Sequence, residues 1–175
     1  MQLSKNFTLE EFTKGNSAND YQISLLRLLA ENLQIVRDRL QPFAKKGKSV
    51  SITITSGLRT MDDYERLKKA GHNPSANSDH FCGFQPGGKP TLGAADIKVN
   101  NCTLSLKDVA LLVAELTRKG TVHFGQVIYE FNPATGACWI HLGNDPQEVF
   151  KDRCTVTRSK YLQSLDNGKS YIALV

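Results

Sequence analysis

The chain has no apolar run approaching the roughly 18 to 20 residues that a membrane-spanning helix needs, so no membrane span is expected. It has no C-x-x-C pair. Cys82, Cys102, Cys138 and Cys154 lie far apart, which argues against both a disulfide framework and a four-cysteine zinc site; reduced, mostly buried thiols are expected instead. No apolar h-region follows the opening Met1-Gln2-Leu3-Ser4-Lys5-Asn6-Phe7, so no signal peptide is expected. Synthesis in the cytoplasm follows, with any external substrate reached by another route. No dense basic block accompanies the net charge of +5. A polyanionic partner is compatible with that charge, but no nucleic-acid partner is expected from lysines and arginines spread so evenly. No repeat or low-complexity linker divides the 175 residues. Residues 1–175 therefore read as a single domain, long enough for a core without disulfide support, and a monomer is expected.

What is present reads as alternating short elements. Thr8-Leu9-Glu10-Glu11 has capping-box spacing and opens a short helix ending near Lys14-Gly15. Ile23, Leu26, Leu29, Leu33, Val36 and Leu40 recur at helical spacing from about Asn19, and Pro42 closes that helix. Val50, Ile52 and Ile54 alternate with polar residues as a half-buried strand does. A polar helix runs from Thr60 to Ala70, and a third is capped by Ser105 to Asp108 and ends at Gly120. Val122 to Phe131 and Cys138 to Leu142 read as strands joined by the turn Asn132-Pro133-Ala134-Thr135-Gly136. Helices packed on a small, mainly antiparallel sheet give an α+β class, with the candidate site at the sheet's rim.

The chemistry collects where these elements end. Arg59 of Ser56-Gly57-Leu58-Arg59 emerges directly after a strand. A planar guanidinium there suits bidentate capture of a carboxylate or polarisation of a carbonyl oxygen; standing alone, it would read as a surface arginine opening the next helix. Ser78 and His80 lie in a polar loop, so His80 is not a core histidine. Asp96 follows Gly93, Ala94 and Ala95, which allow close backbone approach, and precedes apolar Ile97; on such a strand its carboxylate must be paired if buried. His141 lies between Ile140 and Leu142 and gains weight from the two complementary groups before it. Two histidines and an aspartate, with a fourth position left to water, build a catalytic zinc site, whereas structural sites are usually closed by four protein ligands. Zn2+ is the expected cofactor, with His80, Asp96 and His141 as its ligands, and a hydrolase is the expected class. His72 and His123 lack such context and are left outside the site.

In that order, S-G-x-R at 56–59, S-x-H at 78–80, G-A-A-D-I at 93–97 and W-I-H at 139–141 resemble the zinc D-alanyl-D-alanine peptidases, a family of bacterial carboxypeptidases and bacteriophage endolysins that cut peptidoglycan peptides. The run from Leu3 to Phe12 is similar to the start of phage-encoded members, and the resemblance covers roughly residues 3–143. It implies a zinc metallopeptidase acting in cell wall degradation on stem peptides or cross-bridges at the bacterial cell wall. It also implies His80, Asp96 and His141 as zinc ligands, Arg59 stabilising a substrate carbonyl or carboxylate, and Ser78 hydrogen-bonding in the same pocket. The alternative is a non-catalytic wall-binding or virion structural protein that retains the fold.

Two departures accompany the resemblance. The interval from His80 to Asp96 is sixteen residues, about nine longer than in most relatives, an extension that costs little closure entropy. The added segment, roughly Phe81 to Thr91, is either a lid beside the site or a surface excursion. Relatives often carry an acid three positions before the last histidine, where this chain has Cys138. That thiol is either a fourth ligand or packed among its strand neighbours. The nearest acid is Glu130, which falls level with His141 or one step off if the last two strands pair. By the resemblance Glu130 is the general base; otherwise it is a strand-end glutamate facing solvent.

Overall fold

The computed structural model describes residues 1–72, 74–83, 90–150 and 160–175. Residues 84–89, on which the reading of the added segment as a lid depends, and Cys154 lie outside the described residues.

Side-chain caps set where most of the helices begin. Strands β1 (Gln2–Ser4) and β2 (Phe7–Thr8) pair antiparallel and lead into α1 (Leu9–Thr13), where Glu11 accepts the Thr8 N–H at 2.7 Å. The 21-residue α2 (Asp20–Leu40) opens on a reciprocal Asn19/Gln22 box. The chain then makes one 3-10 turn, Gln41–Phe43, across Pro42. Proline has no N–H to continue the α-helical ladder, so the helix stops where the sequence implied. Next come β3 (Ser51–Ser56), α3 (Met61–Lys69) capped by Thr60, a 3-10 turn at Asp79–Phe81, β4 (Ala94–Asn100) and α4 (Leu106–Arg118) capped by Ser105. The last elements are β5 (Phe124–Phe131), β6 (Cys138–Asn144), α5 (Pro146–Phe150), β7 (Lys160–Ser164) and β8 (Ile172–Ala173).

Six of the strands form one sheet in the order β3-β4-β6-β5-β7-β8. All its pairings are antiparallel except β5 with β7. The fold is α+β, with helices packed on a mixed, mainly antiparallel sheet.

Period-two alternation gives this sheet two unlike faces. Ile52, Ile54, Ala95, Ile97, Val127, Ile140 and Leu142 are buried in the core with Leu26, Leu29 and Leu33 of α2 and Val109 and Val113 of α4. Each fully buried valine, leucine or isoleucine side chain among them contributes about 1.5–3 kcal/mol. The residues between them, Asp96 on β4, His141 on β6 and Gln126, Ile128 and Glu130 on β5, share the opposite face. A one-residue slip of register would turn those polar groups into the core, so apolar burial on one side fixes the chemistry on the other.

The segment after β3 is clamped to α1. Leu58 N–H donates to the Phe12 carbonyl at 2.8 Å. A Cβ at Gly57 would lie 2.3 Å from that same carbonyl oxygen, so only glycine fits. Gly57→Ala is therefore expected to lower stability by about 1–3 kcal/mol, the cost of an overpacked site. Urea unfolding measures it, and an unchanged midpoint would mean that α1 yields freely.

Candidate metal centre and its cleft

Three segments bring three side chains to one place. His80 comes from the 3-10 turn and is held from behind by the segment that follows β3. Arg59 N–H donates to the His80 carbonyl at 2.8 Å. The His80 Nδ1 lies 2.8 Å from the Gly57 carbonyl oxygen. A carbonyl only accepts, so Nδ1 carries a proton and Nε2 is the nitrogen turned toward the cluster. That Nε2 lies 3.3 Å from Asp96 Oδ1. His141 Nδ1 approaches the same oxygen at 2.9 Å. Asp96 and His141 are direct partners across β4 and β6, and the two imidazole rings meet edge to face at 5.1 Å between centroids.

Among the described residues, His80, Asp96 and His141 are the group that can hold a metal ion, each offering one ligand atom within 4.8 Å of the others. The His80 side chain is only 4% exposed, because the polar loop expected to leave it outside the core folds into a 3-10 turn packed under Gly57, whereas Asp96 and His141 retain 18% and 12%. The cluster is thus walled off behind His80 and open toward the cleft, as a centre with a free coordination position must be. Burial pushes the Asp96 carboxyl up, but the charges and hydrogen bonds of His80 and His141 outweigh it and hold the group well below the usual carboxylate range. Burial pulls His141 down, yet its hydrogen bond to Asp96 and that charge leave it above the ordinary imidazole value.

The long interval between His80 and Asp96 does not disturb this geometry, because its two ends are tied together. Gly83 N–H donates to the Thr91 carbonyl at 2.8 Å and to its hydroxyl at 2.9 Å. Gly93 N–H donates to the Asp79 carbonyl and Leu92 N–H to Asp79 Oδ1, both at 3.0 Å. The chain therefore returns to β4 in a fixed place.

No family model, curated protein or solved structure matches the chain.

The cluster lies in a cleft of about 620 Å³ that also holds Arg59, Ser78, Glu130 and Trp139. Arg59 leaves the end of β3, and its Nη1 donates to Ser78 Oγ at 3.2 Å. The sheet rim thus supplies Arg59, while Asp96 and His141 stand on the open face of the two strands beyond it. Glu130 pairs with Trp139, one same-face step from the Ile128–His141 pair, and it faces the cleft. Burial raises its carboxyl above the ordinary value against the pull of His141.

Cys138 is a neighbour of His141 in sequence only. It falls on the other side of β6, where its thiol meets Tyr129, and cannot complete the ligand set. Cys82 is buried with Sγ 3.6 Å from the Gln22 carbonyl, and burial pushes its thiol up to about 12. Cys82, Cys102 and Cys138 are all free thiols. His72 is exposed, and His123 pairs at 3.4 Å with Glu148; neither joins the cluster.

Two parts of the site carry no motif. Gln126 lies 3.1 Å from His141 Nε2 through its side-chain oxygen. Its only signal is the alternation of Gln126, Ile128 and Glu130 along one face of β5. The second part is the C-terminal segment, which contributes Lys160, Leu162, Asn167 and Tyr171 to the cleft. Tyr171 donates its hydroxyl to Glu130 Oε1 at 3.5 Å. The turn that brings it there is built on Asp166, which accepts N–H groups from Lys169 and Ser170 at 3.1 and 2.9 Å.

The ligand geometry yields a direct expectation. Purified protein loaded with zinc and desalted should retain close to one equivalent by elemental analysis. His80→Ala and His141→Ala should abolish retention, while Cys82→Ser and Cys102→Ser should not change it. A cysteine variant that loses the metal while His80→Ala keeps it would reverse the ligand assignment.

Proposed function

We propose that the chain is a zinc-dependent peptidase that hydrolyses peptide bonds in peptidoglycan stem peptides or cross-bridges, of the endolysin or D-alanyl-D-alanine peptidase type. The observation that carries this reading is the convergence of His80 Nε2, His141 Nδ1 and Asp96 Oδ1 in an open cleft shared with Arg59 and Glu130. The donor set suits zinc: two imidazoles, one carboxylate and a side left accessible. The choice of peptidoglycan rests on the four motifs and their order, and action at the cell wall, as a phage-borne lysin or virion component, rests on the same resemblance. Among the described residues no helix is long and apolar enough to cross a membrane.

When bound, zinc supplies a Lewis acid that polarises the carbonyl oxygen and brings the pKa of water toward about 7. The protein's own groups do the remaining work. Glu130, whose carboxyl is raised by burial, takes a proton and hands it to the leaving amine. Arg59 turns its planar donors toward the carbonyl or carboxylate oxygen of the peptide and stabilises negative charge as it develops. Ser78 accepts from the Arg59 guanidinium and limits its freedom to swing away.

Digestion of muropeptides followed by mass spectrometry tests the proposal. Release of new amines in a zinc-dependent manner is expected. Intact muropeptides with retained wall binding would favour a non-catalytic wall-binding module instead.

Two substitutions assign the roles. Glu130→Gln keeps the shape but cannot accept the proton. A folded protein with normal zinc content and activity lower by roughly 10²–10⁴-fold is expected, the loss typical of general acid–base catalysis. Full activity would move the base elsewhere. Arg59→Lys should keep zinc and fold yet lose much of the activity, because lysine retains the charge but not the two-donor fork. Unchanged kinetics would remove Arg59 from the chemistry.

A further inference from the structure

We infer that Asp79 and Gln126 are positioning residues for the metal centre, forming a directed hydrogen-bond relay that fixes which nitrogen of His141 carries its proton. The inference rests on the metal-binding reading of the cluster and extends it to two residues outside the ligand set.

The direction of the relay follows from donor and acceptor chemistry alone. Asp79 is a buried side chain of the 3-10 turn, 5% exposed. Its Oδ1 accepts the Leu92 N–H at 3.0 Å, and its Oδ2 accepts from Gln126 Nε2 at 2.8 Å. A carboxylate offers only acceptors, so Gln126 must turn its NH2 toward Asp79. The Gln126 oxygen then faces the other way, 3.1 Å from His141 Nε2. An amide oxygen also only accepts, so Nε2 must hold a proton. The other ring nitrogen, Nδ1, faces Asp96 Oδ1 from 2.9 Å; a metal ion bound there would take the place of its proton while Nε2 keeps its own.

His80 reaches the complementary state by a different route, its Nδ1 proton held by the Gly57 carbonyl at 2.8 Å. The two rings thus present different nitrogens to one point, each fixed from behind by an acceptor. For His80 that acceptor is backbone. For His141 it is a side-chain amide, which could rotate by half a turn unless something holds it. Asp79 is what holds it. Partners of this kind behind a metal-ligating histidine fix its tautomer and orientation, and their loss weakens metal binding about 10–100-fold.

A merely structural role, tying the 3-10 turn to β5, makes a different prediction: lost stability with unchanged metal affinity. The test therefore uses the full chain without metal, titrated with zinc against a competing chelator, with circular dichroism as the check on folding. Gln126→Leu should weaken zinc binding by about 10–100-fold, and Asp79→Asn alone should weaken it too, because the amide is no longer oriented. The double variant Asp79→Asn/Gln126→Glu exchanges amide and carboxylate. The new amide at 79 can still accept from Leu92 and donates to the new carboxylate at 126, which accepts from His141 Nε2. That variant should recover most of the affinity lost by either single change. A double variant no better than the singles, or Gln126→Leu with wild-type affinity, would overturn the relay while leaving the metal centre intact. Wild-type protein that binds no zinc would overturn the metal reading and the relay with it.

A second measurement needs no variant. Long-range proton–nitrogen correlation on zinc-loaded wild type should place the His141 proton on Nε2 and the metal on Nδ1. A proton found on Nδ1 would overturn the inference.

Discussion

A carboxylate held between two imidazoles is the constraint on which this molecule turns. Asp96 is drawn out of water by its place on β4, a transfer that would disfavour its charge if nothing answered it. His80 and His141 both address its Oδ1, at 3.3 and 2.9 Å, and together they more than reverse the effect of burial. The rest of the fold keeps those three groups from drifting apart. The 3-10 turn carrying His80 is bonded to the Gly57–Arg59 segment, that segment is clamped to α1 through Phe12, and Phe12 is part of the core. Apolar packing well away from the cleft is therefore what gives the cluster its dimensions.

The sheet supplies the second half of the geometry. Directly opposed residues on antiparallel strands hold their Cβ atoms about 4.5–5.5 Å apart, close enough for an aspartate and a histidine to reach one metal ion. Asp96 and His141 occupy such a pair. Two ligands thus arise from one register and need no special loop. The third must come from outside the sheet, and the chain has only to lay a single turn over the open face to provide it. Arg59 and Glu130 then fall within the same cleft, one from the rim of β3 and one from β5, so groups of opposite charge accompany the candidate metal cluster.

Much of this was legible because it rests on short-range rules. The helix starts were readable at Thr8, Asn19, Thr60 and Ser105, where a side chain can reach back to the backbone within one turn. Glu130 could be placed to within one same-face step of His141 because the Asn132–Gly136 turn is short and Asn132 N–H closes on the Ala137 carbonyl at 2.8 Å. Asp96 and His141 stood out as polar groups set among apolar strand neighbours. Gln126 did not, because what makes it matter is a bond to a residue 47 positions away, and no local period encodes that distance. The C-terminal strand was equally silent. Lys160 to Ser164 is too short to show a clear alternation, and its parallel pairing with β5 depends on a connection rather than on a turn. Tyr171 enters the cleft through the turn that follows that strand.

The bonds between Gly83 and Thr91 close the long interval between His80 and Asp96 at its base. Because Gly83 and Thr91 are joined before the chain reaches β4, the position of Asp96 is set by described residues at both ends of the interval. Loop closure grows only slowly more costly with added residues, so extra length in the interval costs little at Asp96. The base of the interval therefore shields the candidate centre from changes made farther out along it.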